Sequence, residues 1–151
     1  MDKLNNSIKE LENNLSVFDK KNEIISKATV GWHIEHSLKV LSQIIGAVEQ
    51  SAPENYKWKF NLNRLIFLGF NFIPRGKGKA PKTVLPEGEI TTSALKTHLE
   101  QVKELINKID LLKPNSHFKH PYFGDLNLQQ TKKFIVLHTN HHLKIIKDII
   151  R

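Results

Sequence analysis

The sequence predicts an all-α fold, a four-helix bundle with one additional short helix and a long loop, built as a single domain over residues 1–151. Three observations predict it. Apolar residues recur at helical spacing through four long segments, no strand-like alternation interrupts them, and proline, glycine and capping residues punctuate the segment ends. The composition agrees: 39% hydrophobic and 25% charged residues belong to a globular chain able to bury a core.

The first helix is predicted from Lys3 to Phe18, with Leu4, Ile8, Leu11, Leu15 and Phe18 on one face, before the polar stretch from Asp19 to Glu23. The second is predicted to take Thr29 as its N-cap and to run to Gln50, where Ser51-Ala-Pro53 stops it. The third, short and densely aromatic, is predicted from Trp58 to Phe70. Asn71 to Ile90 then reads as a proline- and glycine-rich loop, of a length that commonly serves as a lid or rim. Leu95, Leu99, Val102, Leu105, Ile106 and Ile109 form the stripe of a fourth helix from Thr92 to Leu112, ended by Lys113-Pro114. A second loop reaches Asn127, which makes a capping box with Gln130 and opens the last helix, Leu128 to the C-terminus.

Function classes are narrowed by what is missing. With no cysteine, the chain has no disulfide, thiolate ligand or cysteine nucleophile, so any metal would sit on nitrogen or oxygen. The N-terminus lacks the apolar core of a signal peptide, and no apolar run approaches the roughly 20 residues of a membrane span. A cytoplasmic protein without a membrane partner is therefore expected. The net charge is +8, but lysines are scattered, so nucleic acid ranks last among partners. The one dense cluster, Arg75-Gly-Lys77-Gly-Lys79-Ala-Pro-Lys82, reads as a solvated loop. Its Arg75, Lys77 and Lys79 are candidates for drawing in an anionic substrate. No nucleophile elbow, phosphate-binding glycine loop or dinucleotide fingerprint occurs.

Five of the eight histidines fall in two clusters, His33 and His36, then His138, His141 and His142. On the last helix a wheel sets His138 and His142 in the middle of the apolar face with Phe134, Ile135, Ile145, Ile146 and Ile149. Imidazoles four residues apart stack on one side of a helix, roughly 6 Å apart, and can converge on one ion. A lone histidine on an apolar face is ordinarily a hydrogen-bonded core residue. Two on one face, with no acid beside them, would leave polar nitrogens desolvated at about 1–3 kcal/mol each. The second helix offers a third ligand, His33 on the flank of its core face or His36 at the edge, and periodicity alone slightly favours His33. Glu35 turns towards solvent on the same wheel, so no carboxylate stands out as a general base.

The segment Thr29-Val-Gly-Trp-His-Ile-Glu-His36-Ser-Leu, with His138-Thr-Asn-His-His142 on the final helix, resembles the DinB/YfiT-like superfamily. Members place one histidine on the second helix and an H-x-x-x-H pair on a late helix around a divalent metal. The Trp-His-x-x-His form is similar to the motif of DinB-like domains in ergothioneine-pathway sulfoxide synthases, whose second histidine is the ligand. That carries over onto His36. The segment His120-Pro-Tyr-Phe-Gly124-Asp-Leu looks like a branch of this superfamily with no assigned function. The resemblance covers nearly the whole chain and implies a DinB-like bundle with His36, His138 and His142 on the metal.

Three neutral imidazoles leave coordination positions open, and they suit zinc, nickel, iron or copper, with zinc or nickel expected first. The resemblance implies a metal-dependent hydrolase or thiol S-transferase acting on a small molecule, and relatives of this type are often homodimers. The alternative is a non-enzymatic bundle that binds a small ligand or a metal. His33 reads first as a substrate contact or packing and otherwise as a group behind the ligands; His120 and Tyr122 are expected around the pocket, and His141 there or nearer the surface. His98 reads as core packing, and Trp32 and Trp58 as packing, with a pocket wall as the alternative.

Overall fold

Local side-chain chemistry fixes where the helices begin in the computed structural model, which describes residues 2–76 and 79–151. Helix α1 spans Asp2–Asn13 and is followed by a 3₁₀ turn, Leu15–Val17. Helix α2 spans Val30–Glu49, and its predicted cap is present: Thr29 Oγ1 accepts the Trp32 N–H at 3.1 Å. Helix α4 spans Thr92–Ile109, capped by Thr91. Helix α5 spans Leu128–Ile150 and opens with the predicted capping box. Asn127 Oδ1 accepts the Gln130 N–H at 2.9 Å, and Gln130 Oε1 accepts the Asn127 N–H at 3.2 Å. Each cap satisfies a backbone donor the helix cannot, typically contributing about 1 kcal/mol.

Helix α3 spans Leu62–Phe70, four residues later than predicted from its aromatic start. Asn61 takes the N-cap, its Oδ1 accepting the Arg64 N–H at 2.8 Å, and Trp58 to Phe60 stay outside the helix. Trp58 is 64% exposed and is not a packing residue. Asn71 ends α3 with φ 53°, a left-handed conformation that asparagine tolerates.

The loop before α5 carries a second difference. His117–His120 (β1) and Gly124–Asn127 (β2) form an antiparallel hairpin, Phe118 opposite Leu126 and His120 opposite Gly124. Four-residue strands are too short to show alternation, and their pairing is not a local property. Gly124 has φ 67°, which the turn into β2 requires. The fold is thus mostly helical with a two-stranded sheet.

Helix α2 is central, lying against both α4 and α5, while α1 packs on α5 and α4. One continuous core results, with Leu4, Ile8 and Leu11 of α1 meeting Ile34, Leu38 and Leu41 of α2, Leu99 and Ile106 of α4, and Ile135 and Ile146 of α5. Burying each such side chain contributes roughly 1.5–3 kcal/mol. No helix among the described residues is long and apolar enough to cross a membrane. The hairpin sits against α2 and α5, and the turn Lys82–Val84 against α2. Arg64, buried on α3, donates to the Asp125 carbonyl at 2.9 Å and to the Lys59 carbonyl, tying α3 to the hairpin.

The wheel of α2 misplaces one residue. Glu35, expected in solvent, is only 18% exposed because α4 covers that side; its Oε2 lies 3.0 Å from Nδ1 of His98. Ser42 Oγ lies 3.1 Å from the other ring nitrogen. His98 is therefore a half-buried polar partner and not core packing.

Candidate metal centre

The contact between α2 and α5 brings three histidines together. One ring nitrogen from each of His36, His138 and His142 lies within 4.8 Å of the others. The ring centroids are 5.3 Å apart for His36 and His138, 4.7 Å for His36 and His142, and 4.6 Å for His138 and His142. This is the trio the resemblance implies, and it includes His36 where periodicity leaned to His33.

Hydrogen bonds explain the difference between the two α2 histidines. His36 Nδ1 donates to the Val84 carbonyl at 2.9 Å, which leaves the Nε2 lone pair free. His33 has both ring nitrogens engaged: Nδ1 lies 3.0 Å from Nδ1 of His142, and Nε2 lies 2.9 Å from Ser26 Oγ. His33 thus stands behind His142 and takes no place in the trio. The Nδ1 to Nδ1 contact needs one proton between two lone pairs. If His142 supplies it, the Nε2 of His142 is a free donor atom and His33 passes its own N–H to Ser26.

His138 supplies a test of whether the cluster fits an ion. Its Nδ1 is sealed from solvent and has no hydrogen-bond partner among the described residues. Such an orphan costs about 1–3 kcal/mol in an apo protein. A buried imidazole with an unpartnered nitrogen, standing with two more imidazoles whose nitrogens lie within 4.8 Å of one another, is suited to a cation, so the residues present fit a metal.

Burial makes these rings neutral. His36 is 3% and His142 8% exposed, and His138 is half-buried. Desolvation pushes the pKa of His138 and His142 well below the usual imidazole range, with neighbouring histidines adding to the shift. Burial also lowers His36, against the opposing pull of the Val84 carbonyl. His33 falls to about 4, through burial first and His36 second. Neutral imidazole is the form that ligates metals.

A cavity of about 700 Å³ opens over the cluster. Its walls include Trp32, Phe67, Phe118, Phe123 and Phe134, and the three histidines line it. Trp32, predicted as packing, stacks flat on His36 with centroids 5.0 Å apart and an interplanar angle of 11°. No sequence signal marks Ser26 or the Val84 carbonyl as partners of the cluster, because both act through loops.

The surrounding candidates divide. His120 lines the cavity from the hairpin loop, and its Nδ1 accepts the N–H groups of Tyr122 and Phe123 at 3.1 and 3.3 Å. The ring stacks on Phe123 with centroids 4.2 Å apart, and burial lowers its pKa to about 4. Tyr122 is a rim residue, 49% exposed. His141, expected nearer the surface, is half-buried, lines the cavity and meets His142 edge-on at 5.2 Å. Arg75 is not among the lining residues and binds Asp148 at 2.7 Å, so it is not the free cation its loop suggested. Lys79 does line the cavity, and Lys77 lies outside the described residues.

No family model matches the chain, and no curated protein or solved structure matches it.

Proposed function

We propose that His36, His138 and His142 hold one divalent metal ion, zinc or nickel before iron, and that the chain is a metal-dependent enzyme of DinB-like type. Its substrate is a small molecule and its reaction a hydrolysis or a thiol transfer. One observation carries this reading: three ring nitrogens within 4.8 Å of each other, on two helices, at the wall of a large apolar cavity. A divalent ion on three neutral donors keeps open positions, where it lowers the pKa of bound water or thiol and polarises a carbonyl. The helical architecture, with one histidine on the second helix and two on the last, supports the DinB-like assignment.

The remaining residues have separable tasks. The Val84 carbonyl holds the His36 ring by its Nδ1–H. His33, anchored to Ser26, takes the Nδ1–H of His142 and fixes that ring. Trp32 braces His36 by stacking. The aromatic walls lower the local polarity beside the cluster, which strengthens electrostatic contacts made there.

A second reading, a non-enzymatic bundle that binds a ligand, is favoured by the lining itself. No aspartate or glutamate is among the described cavity residues, so none is placed as a general base. Metal analysis of purified protein, set beside the His138→Ala/His142→Ala double variant, tests the metal; equal content in both overturns the proposal. Cobalt substitution then separates the readings. A spectrum that changes on adding small anions reveals an exchangeable position and supports the enzyme, whereas an inert, saturated ion supports the binding protein.

A further inference from the structure

We infer that the cavity over the histidine cluster binds a small carboxylate monoanion carried on an aromatic or branched apolar body. The inference rests on the metal reading above and adds the class of ligand.

Charge balance is the first argument. His36, His138 and His142 contribute no negative charge, and a divalent ion there would bring two positive charges beside apolar walls. No acidic side chain is among the described lining residues, whereas Lys79 and Lys119 are. A charge beside apolar walls without an acidic partner is costly, which favours a ligand that brings the counter-charge.

The walls set the body of the ligand. Trp32, Phe67, Phe118, Phe123, Phe134 and Ile145 offer flat and branched apolar surface. The volume, about 700 Å³, falls in the range that encloses a molecule of one to three rings. Polar recognition is sparse. Gln43 is committed to Thr83, donating to its carbonyl at 2.7 Å and accepting its hydroxyl at 3.1 Å. A sugar or a peptide would leave most of its polar groups unpaired here.

The same inventory argues against phosphate. Arginine is the side chain that grips a phosphate with two parallel hydrogen bonds. None is among the described lining residues, Arg75 being held by Asp148. Neutral donors on the lining include Asn63, Tyr122 and His120, and the last is fixed by partners of its own. His120 Nδ1 accepts two backbone N–H groups, so its ring proton sits on Nε2, where a singly charged head group can take it.

The test uses the full chain loaded with zinc, its metal content measured first, and three isosteric probes: 2-naphthoate, 2-naphthamide and 2-naphthylmethylammonium. Calorimetry should give naphthoate an affinity about tenfold or more above both others. The preference should disappear in chelator-stripped protein, and acetate should bind far more weakly because it lacks the body. Zinc bound one to one with equal affinities for the three probes overturns the ligand class and leaves the metal reading standing. Displacement of naphthoate by equimolar inorganic phosphate overturns the ligand class as well. Protein that takes up neither zinc nor nickel nor iron overturns both. Quenching of Trp32 fluorescence in a Trp58→Phe background locates the probe, and a probe that binds without changing this signal is outside the cavity and counts against the inference.

Discussion

Nδ1 of His33 on α2 lies 3.0 Å from Nδ1 of His142 on α5, joining a histidine outside the cluster to one within it. Behind His33, Ser26 Oγ lies 2.9 Å from Nε2 and also accepts the Ala28 N–H at 3.1 Å. The line from Ser26 through His33 to His142 sets which nitrogen of His142 faces the other two imidazoles.

Removing His33 should therefore weaken metal binding without abolishing it. Partners behind a ligand are typically worth about 10–100-fold in metal affinity. His33→Ala is expected to lose that much in a chelator competition and to keep a stoichiometry of about one ion per chain. His142→Ala should lose the ion altogether. Unchanged affinity in His33→Ala would mean that His33 only fills space.

His138 makes a contrasting prediction. Its unpartnered Nδ1 serves no purpose in the metal-free fold. His138→Leu should leave the stripped protein as stable as wild type or more stable, because an orphaned polar atom gives way to an apolar one. Free zinc at a hundred times its dissociation constant should stabilise wild type by about 2.7 kcal/mol, raising Tm by several degrees. His138→Leu should show no such rise. A stripped His138→Leu protein well below wild type in denaturant midpoint would show that the ring is a structural support.

The sequence carries the helices because their determinants are local. Thr29, Thr91 and the Asn127–Gln130 pair act within one turn, and each cap is where its chemistry puts it. The start of α3 is less legible, since Trp58 and Phe60 extend the apolar run while Asn61 intervenes as cap. The hairpin is illegible for a different reason: Phe118 and Leu126 find each other across a turn, and four residues cannot display a period. In the cluster, His138 and His142 were readable from one helix face. His33 and His36 share a flank of α2, and only loop atoms distinguish them, Ser26 for one and the Val84 carbonyl for the other. Glu35 shows the same limit, because a wheel treats the side away from one neighbour as solvent and α2 has neighbours on two sides.

Gly31 ties the first turn of α2 to the preceding loop. Its N–H donates to the Phe18 carbonyl at 2.6 Å, and a Cβ added there would sit 3.0 Å from that oxygen and 3.1 Å from Phe18 Cδ2. Alanine ordinarily gains about 1 kcal/mol over glycine inside a helix. Here the neighbour is backbone held by its own hydrogen bond, so it gives way only by stretching that bond. Gly31→Ala should be destabilising by about 1–2 kcal/mol in urea unfolding. It should also loosen metal binding, because His33 and His36 ride on the displaced turn. A variant more stable than wild type would show that Phe18 moves freely.

His120 links stability to pH through the hairpin. Above pH 6.5 the ring is neutral in both folded and unfolded chains, and its two backbone hydrogen bonds contribute fully. Burial holds the folded pKa at about 4, below the ordinary 6.5. As pH falls between those values, the unfolded chain takes up a proton that the folded chain refuses. Stability then declines by about 1.4 kcal/mol per pH unit for this one residue, reaching a floor near pH 4. Other buried histidines add to the slope, so His120 has to be isolated by difference. Glutamine at 120 can still accept a hydrogen bond through Oε1 but cannot titrate. His120→Gln should be the less stable protein at pH 7, and the gap to wild type should narrow by about 1 kcal/mol on going to pH 5.5. The measurement is a pair of urea unfolding curves at each pH on metal-free protein. A gap that stays constant across that range would place the His120 proton in the folded state as readily as in the unfolded one, contrary to a ring clamped between Phe123 and two backbone donors.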